Sequence, residues 1–214
     1  MALKINEIFF SIQGESTYTG QPCVFIRLTG CNLRCTYCDT AYAYDEGIFM
    51  DIEEIVEKVD SFECSLVEIT GGEPLLQSET PQLISHLLDR GYKTLLETNG
   101  SKDIGFVDKR CVRIMDIKCP SSGEEKNNDL ENLKSLKSGD EIKFVIADRT
   151  DYDFARNILN SVPYDKAGVT VNFSPCFSKI QPGELAAWML DDKMDVRLNL
   201  QLHKFIWDPD RRGV

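Results

Sequence analysis

Cys31, Cys35 and Cys38 are separated by three residues and then by two, in a loop-like stretch that follows the apolar run 24–28. Thiols at that spacing bind metals. A structural zinc site takes four ligands, usually as two paired arms, and neither His86 nor His203 is near the three thiols in sequence. Iron–sulfur clusters are held by cysteine thiolates, usually four. Three thiolates on a four-iron cluster leave one iron open, as a catalytic cluster needs in order to bind a small molecule directly. The spacing favours such a cluster over zinc, and a chance grouping stands as the third reading. The other five cysteines, Cys23, Cys64, Cys111, Cys119 and Cys176, are scattered beside apolar runs. They read as small buried hydrophobes. A disulfide framework is disfavoured in a reducing compartment.

The elements that must position this chemistry are short apolar runs alternating with amphipathic segments. Runs at 24–28, 66–69, 94–96, 112–117, 142–146, 169–173 and 196–202 have the length and β-branched content of buried strands. Ile52, Ile55, Val56 and Val59 fall at helical spacing behind an Asp51/Glu54 capping box. Leu83, Ile84, Leu87 and Leu88 form a second helical face that Gly91 ends. Residues 130–136, 152–159 and 183–190 predict three more helices, and the polar stretch 120–129 predicts a mobile surface connection. Strand–helix alternation implies a parallel sheet with right-handed crossovers. An eight-fold barrel typically needs about 250 residues, so 214 residues with about six or seven strands predict an α/β fold, a partial parallel β/α barrel with some crossover helices short or missing.

Polar and glycine-rich residues recur where these strands end: at 30–31, 70–74, 97–100, 116–118, 174–175 and 203–204. In barrel-like folds those ends converge on one mouth. The dispersed motifs are therefore expected to line one pocket. Arg27, inside an apolar strand, could hold a carboxylate in a bidentate fork; alternation could equally turn it outward. Gln13 and Glu15, with Gly14 between, offer an amide and a carboxylate to a heterocycle edge. Thr70 and Asn99 are further polar candidates. His203 could donate a hydrogen bond or move a proton, although a lone histidine is more often simply packed.

Lys plus Arg is 24 and Asp plus Glu is 35, a formal net charge of −11. That argues against a nucleic-acid partner, whose phosphates need clustered cations. No window approaches the roughly 20 apolar residues that cross a bilayer, and the first residues lack the pattern of a secretory signal. A cytoplasmic location is expected, with no membrane partner. The length fits one domain, since domains hold roughly 50–250 residues.

The three-cysteine spacing with a downstream Gly-Gly-Glu-Pro resembles the radical S-adenosylmethionine (SAM) superfamily. Longer strings are narrower: FSIQGE at 10–15, FIRLTGCNLRCTYCDT at 25–40, ITGGEPL at 69–75, ETNG at 97–100 and LQLHK at 200–204. Together they resemble the 7-carboxy-7-deazaguanine synthase family over most of the chain. Three positions depart from that pattern: Tyr37 stands where Trp is more usual, Ser16 where Gly is, and Asp116–Ile117 where Ser-Pro is common.

The resemblance implies a single radical SAM domain over 1–214, with an N-terminal substrate-binding extension and a C-terminal tail that closes the active site. It implies a 4Fe-4S cluster on Cys31, Cys35 and Cys38, and SAM bound at the open iron. SAM contacts would come from Tyr37, Cys38, Asp39, Gly72, Asp116, Ile117, Lys118, Ser174, Pro175, Cys176 and Phe177. Thr40 would be the protein ligand of Mg²⁺. Ile12, Gln13, Gly14, Glu15, Arg27, Thr70, Asn99, His203 and Val214 would meet the substrate, 6-carboxy-5,6,7,8-tetrahydropterin. Hydrogen abstraction at C6 would start a ring contraction to 7-carboxy-7-deazaguanine with loss of ammonia, a step toward queuosine-type nucleosides. An electron donor such as flavodoxin or ferredoxin and a homodimer are implied too. Two other functions compete. A radical SAM activase that makes a glycyl radical on a partner protein would share the cysteines but would not need Gln13, Glu15, Arg27 and His203. A non-catalytic metal module would want a fourth clustered ligand.

Overall fold

A computed structural model describes residues 2–214 of the protein. One sheet of nine strands runs in the order β3-β1-β2-β4-β5-β6-β7-β8-β9. Its strands are β1 (Ala2–Ile12), β2 (Pro22–Leu28), β3 (Ile48–Asp51), β4 (Leu66–Gly71), β5 (Lys93–Thr98), β6 (Val112–Ile117), β7 (Glu141–Ile146), β8 (Thr170–Pro175) and β9 (Arg197–Leu198). From β2 onward every neighbouring pair is parallel. The sheet curls without closing, and the partial barrel expected from strand–helix alternation is the fold.

Two strands lie outside the apolar runs read in the sequence. β1 pairs antiparallel with β2 and with β3, so the N-terminal edge of the sheet is not parallel. The loop of residues 13–21 is too short for a crossover, which needs a dozen or more residues, so β1 must return antiparallel. Its buried Leu3 and Ile5 alternate with more exposed neighbours, a half-buried strand rather than a continuous run. The run at 196–202 shortens to Arg197–Leu198.

Helices cover the convex face. They are α1 (Ile52–Asp60), α2 (Thr80–Asp89), α3 (Arg149–Ser161) and α4 (Pro182–Asp191), while the short α5 (His203–Ile206) lies at the cavity on the other face. The α1 capping box forms as read: Glu54 N donates to Asp51, and Asp51 N donates back to Glu54. Gly91 follows α2 with φ +90°, and Tyr92 N reaches back to Leu87 O. The helix expected at 130–136 is a 3-10 segment, Leu130–Ser135. Its buried Asn132 is drawn inward to bond Ile104 N, Gly100 O and Lys102 O, which pins the segment to the β5–β6 connection. Short or missing crossover helices thus occur between β5, β6 and β7.

The main core lies between sheet and helices, built on Ile26, Ile69, Leu96, Ile142, Phe144 and Phe173. A smaller apolar cluster of Cys23, Phe25, Leu66, Leu95, Val112 and Ile114 fills the concave side near the N-terminal ends of the strands. All eight cysteines are free. Of the five scattered ones, Cys23, Cys111, Cys119 and Cys176 are buried and Cys64 is half-buried. Among the described residues no helix is long and apolar enough to cross a membrane.

Candidate functional site

The concave face opens into a cavity of about 750 Å³ at the C-terminal ends of the parallel strands. Strand alternation builds it, because every second residue faces inward. Arg27, Thr70, Glu97, Asp116 and Lys143 lie above the small apolar cluster, and Asn99, Lys118, Val145 and Cys176 lie nearer the mouth.

The cysteine loop forms one wall, with Cys35 and Cys38 lining the cavity. Backbone geometry seats it. A Cβ on Gly72 would lie 2.1 Å from Gly30 O and 2.7 Å from Cys31 Cβ, and one on Gly71, at φ +144°, would lie 2.3 Å from Leu28 O. The paired glycines let the end of β4 abut the start of the loop. Residues 120–129, expected to be mobile, hold the other side. Thr36 N donates to Ser122 O at 3.0 Å, Thr36 Oγ1 to Ser121 O at 2.6 Å and Arg34 N to Glu124 Oε1 at 2.7 Å. Ser122 is fully buried and Ser121 N donates to Asp151. The polarity of that stretch is spent on these bonds, which is why it reads as loop and behaves as scaffold.

Burial pushes the Cys35 thiol up to about 11, although the Lys118 ammonium pulls against it, and burial raises Cys31 too. Ligation would release their protons. Leu33 N donates to Cys31 Sγ at 3.4 Å. Among the described residues no group of three or more His, Cys, Asp and Glu side chains, the three thiols included, is drawn together as the ligands of one ion. Three thiols from one loop, beside a buried ammonium, fit a cluster with one open corner. Tyr37 Oη is buried without a partner, an orphaned polar atom beside those thiols. Burial holds that phenol far above its ordinary value, so it stays a donor.

Opposite the cysteines stand charges that include two, Glu68 and Lys143, that sequence reasoning did not single out. Lys143 Nζ lies 3.0 Å from Glu15 Oε2 and 3.6 Å from Asp116 Oδ2, and it pairs closely with Glu97. Lys118 Nζ lies 2.9 Å from Asp116 Oδ2. Burial raises the Glu15 carboxyl, but Lys143, the Gln201 amide and His203 together outweigh it, and the net direction is down. Burial raises Glu68 well above its ordinary value, with the neighbouring Glu97 adding to it. Gln13 Nε2 donates to Glu68 Oε2. Gln201 Nε2 donates to Glu15 Oε1 at 3.0 Å. Glu68 and Lys143 are charged residues inside strands that otherwise read as apolar, at 66–69 and 142–146, whereas Glu97 opens the polar strand end 97–100. That interruption is the signal that could have found them.

Arg27 is 16% exposed and turned toward the cavity. Its Nε donates to Glu7 Oε1 at 2.7 Å, with the rings of Phe9 and Tyr42 beside its guanidinium. Gly14 packs on His203, where a Cβ would meet Nδ1 at 2.1 Å. Burial pulls His203 below its ordinary value against the charge of Glu15. Lys204 Nζ lies 2.7 Å from Asp39 Oδ2, and despite burial its charge lowers that carboxyl to about 2. Thr40 Oγ1 donates to Asp39 Oδ1 at 3.0 Å.

The structure brings Ile12, Gln13, Gly14, Glu15, Arg27, Thr70 and Asn99 to this cavity, together with Tyr37, Asp39, Thr40 and Gly72. Asp116, Lys118, Cys176, Phe177, His203 and Val214 also line it. Four expected residues do not. Cys31 lies in the loop packed on Gly72. Ile117 has its side chain in the core on the helix side, since alternation turns it away from Asp116 and Lys118. Ser174 is buried, accepting from Asn199 Nδ2 at 2.9 Å, and Pro175 is buried at the end of β8.

The radical SAM superfamily profile matches residues 25–116. The 7-carboxy-7-deazaguanine synthase of Koribacter versatilis is 46% identical, with 99% of this chain and 100% of that one covered. The enzyme of the same name from Chlorobaculum tepidum is 47% identical over 99% of this chain and 97% of its own. Among solved structures, QueE from Escherichia coli superposes with a TM-score of 0.79 at 23% identity, over 95% of each chain. At that identity the superposition speaks for the fold.

Proposed function

We propose, for a chain that belongs to the 7-carboxy-7-deazaguanine synthase family of radical SAM enzymes, the conversion of 6-carboxy-5,6,7,8-tetrahydropterin to 7-carboxy-7-deazaguanine with loss of ammonia. One observation carries the reading: the cysteine loop and the Gln13–Glu15–Arg27 wall open into the same cavity. A partner's peptide would not need that enclosed polar wall, and relatives of full length bear the synthase name, so the activase reading falls away.

Cys31, Cys35 and Cys38 would hold the cluster, and Tyr37, Asp39, Gly72 and Lys118 would line the place of SAM beside it. When bound, the cluster and SAM supply a carbon radical able to take a hydrogen atom from a C–H bond. The chain does the rest by position and by excluding water. Arg27 keeps its terminal nitrogens for the substrate carboxylate while Glu7 steadies its Nε. Glu15, ionised by Lys143, accepts from ring N–H and amino groups. His203, held neutral, donates or takes a proton at the substrate carboxylate. Thr40 Oγ1 would hold magnesium, a hard cation that keeps several waters and takes few protein ligands.

The test is to incubate anaerobically reconstituted protein with SAM, a reductant and the carboxylated tetrahydropterin, and to look for the deazapurine and ammonia. SAM cleavage with the pterin returned unchanged would overturn the substrate assignment. An unchanged KM in Arg27→Ala would remove that residue from the carboxylate, because a charge-assisted pair is worth about 1.5–3 kcal/mol, or tenfold and more in KM.

A further inference from the structure

Ser16 has no place in the mechanism above, yet it is a strained residue in the loop that carries Gln13 and Glu15. Its φ is +62°, a left-handed conformation that glycine adopts freely and an L side chain resists. The turn there sends Glu15 toward Lys143 and Thr17 toward Glu141. The floor on which this loop rests is polar. Alternation turns Glu141 and Lys143 of β7, Asn172 and Ser174 of β8, Arg197 of β9 and Asn199 just beyond it to the concave side. All but Arg197 are buried. On the same side β2, β4, β5 and β6 carry the apolar cluster of Phe25, Leu66, Leu95, Val112 and Ile114. Apolar side chains of similar volume could fill the floor at β7 to β9 with no loss of stability, so its polarity calls for another reason.

The bonds supply one. Glu141 Oε1 accepts from Thr17 Oγ1 at 2.6 Å and from Thr17 N at 3.0 Å, and its Oε2 accepts from Asn172 Nδ2 at 2.6 Å. Asn172 Oδ1 accepts from Arg197 Nη1 at 3.1 Å, and Arg197 Nη2 donates to Thr19 Oγ1 at 3.4 Å. Arg197 Nη1 also reaches Asn199 Oδ1 at 2.9 Å, and Asn199 Nδ2 donates to Glu15 Oε2 at 3.4 Å. We propose that Glu141 and Arg197 are positioning residues: by holding Thr17 and Thr19 they keep Ser16 in its left-handed turn and so aim Glu15 at the substrate. β9 ends the sheet with β8 as its one strand neighbour, and these side chains join it to the β1–β2 loop where no strand pair does. A satisfied buried network fixes one arrangement of its members, whereas an apolar floor would let the loop slide. The inference deepens the proposed reaction and rests on it for the nature of the ligand, though the grip on the loop belongs to the free protein.

Thr17→Val tests the Glu141 grip without disturbing the buried carboxyl: it keeps the shape of the side chain and removes the hydroxyl donor. Thr17→Ser keeps the donor. A double variant, Ser16→Gly with Thr17→Val, loses the donor and the left-handed strain together. Arg197→Met frees Thr19. Hydrogen–deuterium exchange of the free reconstituted proteins reads the amides of residues 13–21. KM and kcat for the carboxylated tetrahydropterin and Kd for SAM are read beside it, with circular dichroism to confirm the fold. In Thr17→Val, exchange within 13–21 should speed up about tenfold, the loss of one hydrogen bond to a charged group, while the strands keep their protection. KM should rise by a similar factor, with kcat and SAM affinity nearly unchanged. Arg197→Met should do the same to a smaller degree, and Thr17→Ser should match wild type. Ser16→Gly should restore part of the KM lost in Thr17→Val, because glycine keeps the turn without the grip; a bond that serves only stability would give no such rescue. Unchanged loop exchange in Thr17→Val, a wild-type KM in a loosened loop, or a loss of SAM affinity as large as the rise in KM would overturn the proposal. Exchange is read without substrate, so variants that loosen the loop as expected in a protein that leaves the pterin untouched would refute the reaction and support the grip.

Discussion

The convex and concave faces of the sheet are made by alternate residues of the same strands, and they carry opposite chemistry. Ile26, Ile69, Leu96, Met115 and Phe144 point toward the helices and are all fully buried. Their neighbours Arg27, Thr70, Glu97, Asp116 and Lys143 point into the cavity. A one-residue slip of any strand would exchange the two sets and put charge against the helices. The convex face therefore fixes the register that the concave face needs. Stability should be concentrated on one side and charge-dependent behaviour on the other.

Phe173 offers the hardest blow to the convex side. It is fully buried and meets Phe144 and Tyr152 edge-on, each at 5.7 Å between ring centres. Phe173→Ala should destabilise the protein by about 3–5 kcal/mol, seen as a lower urea midpoint with an unchanged slope. The loss should be the same at pH 5 and pH 8, since the Tyr152 phenol that meets the ring is pushed up to about 12 by burial and does not titrate in that range. A strongly pH-dependent loss would mean that the two faces are not separable.

Lys143→Met probes the other side. It removes the ammonium that faces three carboxylates, a change worth about 1.5–3 kcal/mol near neutrality. Without that charge the Glu97 carboxyl, already raised by burial, moves further above its unfolded value, so the native state binds more protons than the unfolded state between the two values. Stability then falls as pH rises through that window. Below it the carboxyls are neutral in both states, and the penalty fades. The gap to wild type should thus widen from pH 5 to pH 8, and a gap of constant size would sink the charge account.

This contrast also governs how much could be read from the sequence. The convex face was legible because uninterrupted apolar runs mark parallel strands covered on both sides, and the α1 capping box and Gly91 marked helix ends. The cavity was legible wherever chemistry sat at strand ends, as with Cys35, Gly72, Asn99 and His203. It was illegible where a single charge interrupts an apolar run, because Glu68 and Lys143 look like noise until period-2 alternation shows that each faces inward. β1 and β3 were missed for a related reason: one is only half-buried, and the other is a four-residue edge whose Ile48 and Phe49 are exposed. The scaffold role of residues 120–129 depends on bonds to Thr36 and to Arg34 N, partners far away in the chain that no local pattern encodes.

Thr40→Ala should have the smallest effect on the fold and still separate the two faces. The hydroxyl makes one bond, to Asp39 at 3.0 Å, on a loop at the cavity mouth. Removing it touches no core residue, so stability should stay within about 0.5 kcal/mol of wild type. Asp39 keeps Lys204 at 2.7 Å, and the link between α5 and the cysteine loop survives. What should change is the response of turnover to added magnesium, because the loop then offers the ion one hard oxygen fewer. Titrating magnesium into the reconstituted variant and wild type reads this directly. An identical metal response would remove Thr40 from the ion's surroundings and leave it as a simple partner of Asp39. A large stability loss with that identical response would show instead that the mouth, like the convex face, is held by packing and not by the groups it offers to ligands.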